Sequence, residues 1–550
     1  MNKVIRINQV CWVEHLPSWA LPKLTMHLID QTPQKDEDGN NIVGGRKYDK
    51  PAYWLTDNGD VFLAGLFPEF QQEAQRNDYS FVFEDMRDPN PMKLEPVYEN
   101  LTADLRYKQA DVLQALIKHD KGIVKCTTGF GKSFIIKMIC LLYPTARIVV
   151  VSAARLVVDQ LYKDISATCG KAAVGKCSSG TPSTEELKRI VVATNKSIKR
   201  APLSECDILL FDEVHNVGDN QVFADLVENV GNARMYGFTA SLARGDGALG
   251  LIKGLFGSVI AECTYQEAQA HKMVTPIRAM MPKYPHNPLT KLTDIVAINE
   301  KIHYWQNWQR NAFIAQIAAD TPPDAQTVIT VKTLEHAIFL KKCPELADWP
   351  IIHAGTVQKG KEVLEVFTLE TAPERLDCVR NADQAPVTLV VFPGDSSRPP
   401  GYFDGDSYKS FYEVRASYTL PNGKPAGNLV TRPHMIAGVD ASLFAMKKKE
   451  VNELVNGFAS GDIKKAIATT VIKEGVNLNH LRVLIRADGA TSEVINTQVP
   501  GRLSRLQEGK DYTLLIDPWD DDNPWVLGRS KARYRYYKQN GWTVWDGEKS

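Results

Sequence analysis

Short apolar runs recur along the chain, with helical patterns set between them. In residues 96–270 the runs are Gly122–Cys126, Ile148–Ser152, Ile190–Thr194, Ile208–Phe211 and Met235–Thr239. Leu105–Lys118, Ser133–Leu142 and Ala154–Ile165 place apolar residues at helical spacing among them. Continuous apolar strands separated by amphipathic helices fit a parallel sheet covered on both faces. Residues 271–545 repeat the texture, with strands expected at Thr327–Val331, Ile351–His353, Ile467–Thr470, Val483–Arg486 and Tyr512–Ile516.

Two regions break the pattern. In residues 1–95, Val4–Val10 alternates as a strand does, and Ala52–Phe67 reads as a hairpin turning at Asp57-Asn58-Gly59-Asp60. Asp88-Pro89-Asn90-Pro91 marks a linker after this unit. Between about 360 and 440, the run Val387–Phe392 is followed by a Pro- and Gly-rich stretch, Pro393–Gly401, and then by mixed aromatic and polar residues. We read this as an insertion in the second sheet domain. The expected architecture is α/β: two parallel-sheet domains in tandem (96–270 and 271–545) behind a small α+β N-terminal domain (1–95).

Composition narrows the partners. With 65 basic and 65 acidic residues the formal net charge is +0, so a surface for a polyanion has to be local. The nine cysteines are scattered without a C-x-x-C pair, which points away from a disulfide framework or a zinc site and toward a reducing compartment. No run of about 18 apolar residues occurs, and charges interrupt the first residues, so neither a membrane span nor a signal peptide is expected. A cytoplasmic protein follows, in the host cytoplasm if the source is viral.

The candidate chemistry starts at Cys126-Thr127-Thr128-Gly129-Phe130-Gly131-Lys132-Ser133, between an expected strand and an expected helix. The glycines allow a tight turn that points backbone N–H groups at phosphate. Lys132 can reach the β- and γ-phosphates, and the Ser133 hydroxyl can hold Mg²⁺. The helix N-terminus adds partial positive charge. Cys126 stands where the strict pattern has its first glycine. Further on, Asp212-Glu213-Val214-His215 follows an apolar strand. An acidic pair at a strand's C-terminal end suits a metal ligand, Asp212, and a residue that activates water, Glu213. Gln498-Val499-Pro500-Gly501-Arg502-Leu503-Ser504-Arg505 places two arginines three residues apart, on one helix face.

In this order the motifs resemble those of the superfamily 2 helicases and translocases, and look closest to the UvsW-like phage helicases and their XPB-type relatives. The resemblance implies two RecA-like domains closing on ATP and Mg²⁺. Arg106 and Gln109, in Leu105-Arg106-Tyr107-Lys108-Gln109, match the adenine-reading element. Asp212–His215 matches the acidic box, with His215 coupling the ATP site to the neighbouring domain. Ser152 and Arg155, then Thr194, match elements that contact the nucleic-acid backbone. Thr239 and Ser241 in Phe238-Thr239-Ala240-Ser241 match the Thr-Ala-Ser motif, taken as a strand contact. In Ala468–Asn477, Thr469 and Thr470 would face nucleic acid, while Gly475 and Asn477 would face the nucleotide. Arg505 is the expected finger on the γ-phosphoryl group, with Arg502 also reaching phosphate.

The implied activity is ATP-dependent movement on, and unwinding or remodelling of, duplex or branched DNA. A protein partner could engage the N-terminal domain or the insertion. The same motifs leave room for the motor of a restriction or nuclease system, an ATP-switched nucleic-acid clamp, or an RNA helicase. The tail Arg529–Lys538 mixes cations with aromatics; it reads as a closing helix with tyrosines inward and arginines snorkelling, or as part of a nucleic-acid groove.

Overall fold

The computed structural model describes residues 2–545 except 30–33, 36–40, 43–46, 89–93, 102–103, 154, 219, 243–245, 286, 294–295, 356, 358–360, 437, 470–477, 492–500 and 502, and within 366–434 all but four short strands. Two seven-stranded sheets dominate, and every strand pair in them is parallel. They form the tandem RecA-like arrangement expected from the sequence.

The first sheet runs in the order Val174–Cys177, Ile190–Thr194, Ile148–Ser152, Ile208–Asp212, Arg234–Thr239, Lys121–Cys126, Val259–Cys263. Its five interior strands are the five apolar runs of the sequence. The two edge strands were not anticipated: Val174–Cys177 carries Gly175 and Lys176, and Val259–Cys263 carries Glu262, so neither is a continuous apolar run. The second sheet runs Ile351–Ile352, Lys465–Ala468, Gln326–Thr330, Leu481–Arg486, Thr513–Ile516, Ile277–Met280, Thr543–Trp545. Here too the sequence pattern missed the last two strands. Of the four residues of Ile277–Met280, Arg278 is exposed.

The N-terminal domain is a five-stranded mixed sheet with the helix Phe67–Arg76. The single strand expected at Val4–Val10 is instead a hairpin. Asn8 takes φ 51 in a two-residue turn, and Asn2–Ile7 pairs antiparallel with Val10–Val13. Asn is among the few non-glycine residues that tolerate the left-handed region such a turn needs. The hairpin around Asp57–Asp60 forms as expected, with Tyr53 opposite Phe62 and Trp54 opposite Val61.

This domain and the first parallel sheet share one buried core, from Val4 and Phe62 through Leu63 and Leu255 to Phe211. Backbones meet closely there. A Cβ on Gly65 would lie 2.1 Å from the Lys253 carbonyl oxygen, and one on Gly254 would lie 2.5 Å from Leu63 Cδ1. Gly65→Ala is therefore expected to destabilise the protein by about 1–3 kcal/mol, because the helix Leu249–Phe256 must shift. Urea unfolding of both proteins measures it, and an unchanged midpoint would contradict this contact.

Residues 355–448 form a separate compact unit, and residues 1–354 with 449–550 form the other. The smaller unit lies in sequence between two strands of the second parallel sheet. Its paired strands are antiparallel: Lys361–Glu365 with Asn428–Arg432, a three-strand meander over 389–410, and Met435–Ile436 with Val439–Asp440. No described helix is long and apolar enough to cross a membrane.

The tail forms the helix Pro524–Gln539, capped by Asn523, whose side chain accepts from Trp525 N and Val526 N. Tyr537 packs inward as expected, but Arg533 does not snorkel. It is fully buried, with Nε 2.8 Å from Asp517 Oδ2 and Nη2 3.2 Å from Asp520 Oδ2. A guanidinium is tolerated inside when carboxylates pair with it.

Candidate nucleotide site at the sheet edge

The phosphate loop grows out of the strand Lys121–Cys126 and ends in the helix Lys132–Leu142. Gly129 has φ 89 and Gly131 φ 98, the left-handed backbone that the turn needs. Gly131 also has no room for a side chain: a Cβ would lie 2.9 Å from both Arg106 Nη2 and Gln109 Nε2. Phe130 is buried and anchors the loop from below. Lys132 lies at the helix start, and its Nζ donates to the Cys126 carbonyl at 3.1 Å; Ser133 is exposed. Burial pushes the Cys126 thiol up to about 12, so this residue serves the loop through its backbone.

Arg106 and Gln109 hold the far side of the loop. Gln109 Nε2 donates to the Phe130 carbonyl at 2.8 Å, and its Oε1 accepts from Arg106 N at 2.9 Å. Arg106 Nη2 donates to the Phe130 carbonyl at 3.0 Å and lies 3.4 Å from that of Gly129. The helix expected from Leu105 starts only at Gln109, because Lys108 takes φ 58 and ends any helical run before it. Both residues expected to read adenine thus also set the shape of the loop beneath it.

The acidic pair ends the strand Ile208–Asp212, two strands from the phosphate loop, with Arg234–Thr239 between them. At the usual spacing of adjacent strands that is about 10 Å, room for a phosphate chain and a cation. Asp212 is buried. Burial and the neighbouring Glu213 carboxylate push its pKa up to about 7, against the opposing effect of Lys132. Two carboxylates crowded in low dielectric are relieved by a divalent cation, so Asp212, with Ser133 across the loop, fits Mg²⁺ chemically.

Glu213 takes φ 55, which turns the chain sharply into Val214–Asn216. His215 Nδ1 lies 3.0 Å from Thr239 Oγ1 and 3.2 Å from Glu213 Oε2. The Thr239 hydroxyl donates to the Ser241 carbonyl at 2.6 Å, so its proton is already committed. His215 Nδ1 must then be the donor, facing two oxygen acceptors.

Thr239 and Ser241 are both buried: the Thr239 hydroxyl lies against His215, and Ser241 N donates to that hydroxyl at 3.2 Å. The strand Arg234–Thr239 lies inside the sheet and carries its last residue below the surface. Ser152, Thr194 and Thr469 are also buried at strand ends, Thr194 Oγ1 donating to Ser197 Oγ at 3.1 Å. Of the described residues expected to touch nucleic acid, only Arg155 is exposed. Thr470, Gly475, Asn477 and Arg502 lie outside the described residues.

The second domain meets the loop directly. A Cβ on Gly501 would lie 2.6 Å from Thr128 Cβ and Oγ1, and one on Gly129 would lie 3.7 Å from Ser504 Oγ. The segment that carries Arg505 therefore abuts the phosphate loop across the cleft. Arg505 is half-buried, and its guanidinium makes no hydrogen bond or ion pair among the described residues. Burial lowers its pKa.

The segment joining the two sheets completes the contact, which the sequence reading missed. Val274 packs against Gly129, Thr275 N donates to the Ser504 carbonyl at 2.7 Å, and Thr275 Oγ1 donates to the Arg505 carbonyl at 3.1 Å. No motif marks Val274 or Thr275; the only signal is their place between the two domains.

Comparison with known proteins agrees with this geometry. The family described as "Type III restriction enzyme, res subunit" matches residues 102–244. The chain is 30% identical over 111 residues to the ATP-dependent DNA helicase fml1 of Schizosaccharomyces pombe, a match covering 20% of this chain and 13% of that protein. It is 24% identical over 189 residues to the Endoribonuclease Dicer homolog 2 of Arabidopsis thaliana, covering 33% of this chain and 12% of that protein. The chain thus spans only a small part of either relative. Among solved structures, T4 UvsW aligns over 99% of this chain and 98% of its own at 13% identity, with a TM-score of 0.38, so the two agree only loosely in shape. The resemblance drawn from the motifs holds over the first parallel-sheet domain: residues 102–244 form a nucleotide-handling domain of the superfamily 2 helicase type.

Proposed function

We propose that the protein is an ATP-driven DNA translocase of the helicase type, whose two parallel-sheet domains close on ATP and on one DNA strand. The observation that carries this reading is the approach of Gly501 and Ser504 to Thr128 and Gly129. A binding module needs no second domain at its phosphate loop; phosphoryl transfer stabilised by an arginine from a second domain does.

In this reading residues 129–133 hold the triphosphate, with Arg106 and Gln109 beneath the base. Asp212 and Ser133 would hold Mg²⁺, which would offset phosphate charge. Glu213 orients the attacking water. His215 carries its position to the Thr239–Ser241 turn. Arg505 reaches the γ-phosphoryl group, with Arg502 beside it. By the resemblance, Gly475 and Asn477 would face the nucleotide, and Arg155 and Thr470 would contact the DNA backbone. Such contacts carry no sequence information, which suits a motor that moves along any sequence. The domain limits that go with this reading are 1–95, 96–270 and 271–545.

DNA is favoured because fml1 and three other curated relatives are named as DNA helicases. The matched family's name favours a second reading, a motor working inside a restriction system. ATPase stimulation by single-stranded, duplex, forked and four-way DNA, with RNA alongside, tests the proposal. The largest stimulation is expected from duplex or branched DNA. Stimulation by RNA alone would overturn the DNA assignment, and DNA cleavage in the presence of a partner subunit would favour the restriction motor.

A further inference from the structure

Lys510 lies just past the arginine-bearing segment and belongs to none of the motifs. It is buried. Its Nζ donates to the carbonyls of Leu503 at 2.7 Å, Arg505 at 3.1 Å and Asn479 at 3.2 Å. An ammonium has three N–H donors, and here each has a backbone acceptor. Among the described residues no carboxylate pairs with it; burial and the cations of Arg482 and Arg505 push its pKa down to about 7.

A buried cation held only by carbonyl dipoles is costly unless its geometry matters, since an apolar side chain would fill the same space. Two of its three acceptors flank Ser504, whose own carbonyl is taken by Thr275 N. The third, Asn479, follows the stretch 470–477, where the sequence motif expected to face nucleic acid and nucleotide lies. One side chain therefore ties the exit of that stretch to the backbone of Arg505, while Thr275 ties the same carbonyl to the inter-domain segment.

We propose that Lys510 is a positioning residue for Arg505. Resting on the finger role assigned above, the inference adds that the backbone bearing the guanidinium is held by the Lys510 amino group through carbonyls 503 and 505. Arg505 itself makes no side-chain bond among the described residues, so its aim depends on how firmly its backbone is held. Misplacing a catalytic group by about 1 Å can cost on the order of 10²-fold in rate.

The test uses the full chain with Lys510→Met, Arg505→Ala and the double variant. It measures ATP turnover, KM for ATP, and the affinity ratio of ADP–aluminium fluoride to ADP. Lys510→Met is expected to lower kcat about 10- to 100-fold with KM for ATP little changed, and to reduce the preference for the transition-state analogue by a similar factor. In the Arg505→Ala background, Lys510→Met is expected to have no further effect on either readout. If its effects multiply with those of Arg505→Ala, or if ADP binding falls in step with turnover, Lys510 does not act through Arg505 and the proposal is overturned. If Arg505→Ala itself changes nothing, the finger role fails instead. Should Lys510→Met not fold, Thr275→Val removes the other side-chain donor to the Arg505 carbonyl and is expected to give the same pattern; a wild-type analogue preference in that variant overturns the proposal.

Discussion

Lys132→Ala is expected to abolish ATP turnover while leaving the fold intact. The Lys132 ammonium donates to the carbonyl of Cys126 within its own loop. Losing that hydrogen bond costs about 1 kcal/mol, small against the buried strands on either side. Arg106 is not free to supply the charge that Lys132 would put beside the β- and γ-phosphates, because its guanidinium is committed to carbonyls on the far side of the loop. Removing one preorganised electrostatic contact to the transition state lowers kcat by about 10²–10³-fold, and this one also contributes to binding. Turnover and nucleotide affinity are expected to fall together while the circular dichroism spectrum and melting midpoint stay at wild type. Normal turnover in this variant would refute the assignment of 126–133 as the phosphate loop.

Arg505→Ala is expected to separate the two effects. Nucleotide binds chiefly to the first domain, whereas Arg505 comes from the second, so affinity for ATP should be nearly unchanged. Turnover should fall by about 10³-fold or more, the scale at which an arginine finger stabilises a transferring phosphoryl group. Arg505→Lys should not restore it, since a lysine offers a point charge in place of the planar fork. Wild-type kcat in either variant would remove Arg505 from the finger role and leave Arg502 as the candidate.

Particular residues mark how far the site could be read in advance. Gly129, Gly131, Lys132 and the Asp212–Glu213 pair stood out because phosphate and metal chemistry needs those residue types at strand ends, and the structure places them at the carboxyl ends of two interior strands of one sheet. The interior strands were legible for the same kind of reason: Ile148–Ser152 and Ile190–Thr194 are buried on both faces and so are continuously apolar. The edge strands were not, since an edge tolerates Gly175, Glu262 or Arg278. The contact of Thr239 with His215 was not legible, because a Thr-x-Ser turn looks the same in sequence whether its Thr hydroxyl faces solvent or a buried histidine. Arg533 was misjudged because the two aspartates that bury it lie 13 and 16 residues away.

By itself the sequence determined the kinds of chemistry and their order along the chain: a loop shaped for phosphate, an acidic pair after a buried strand, and arginines in a second α/β half. Each is a local requirement, met within a few consecutive residues and therefore visible there. Only the tertiary structure decided which groups meet. Thr128 touches Gly501, His215 leans on Thr239, Thr275 and Lys510 share the Arg505 carbonyl, and the N-terminal sheet merges with the core of the first domain. These pairings join residues far apart in the chain through backbone carbonyls and close van der Waals contact. Any residue type supplies a carbonyl, so the composition of the chain leaves no trace of which one a buried lysine or threonine will find.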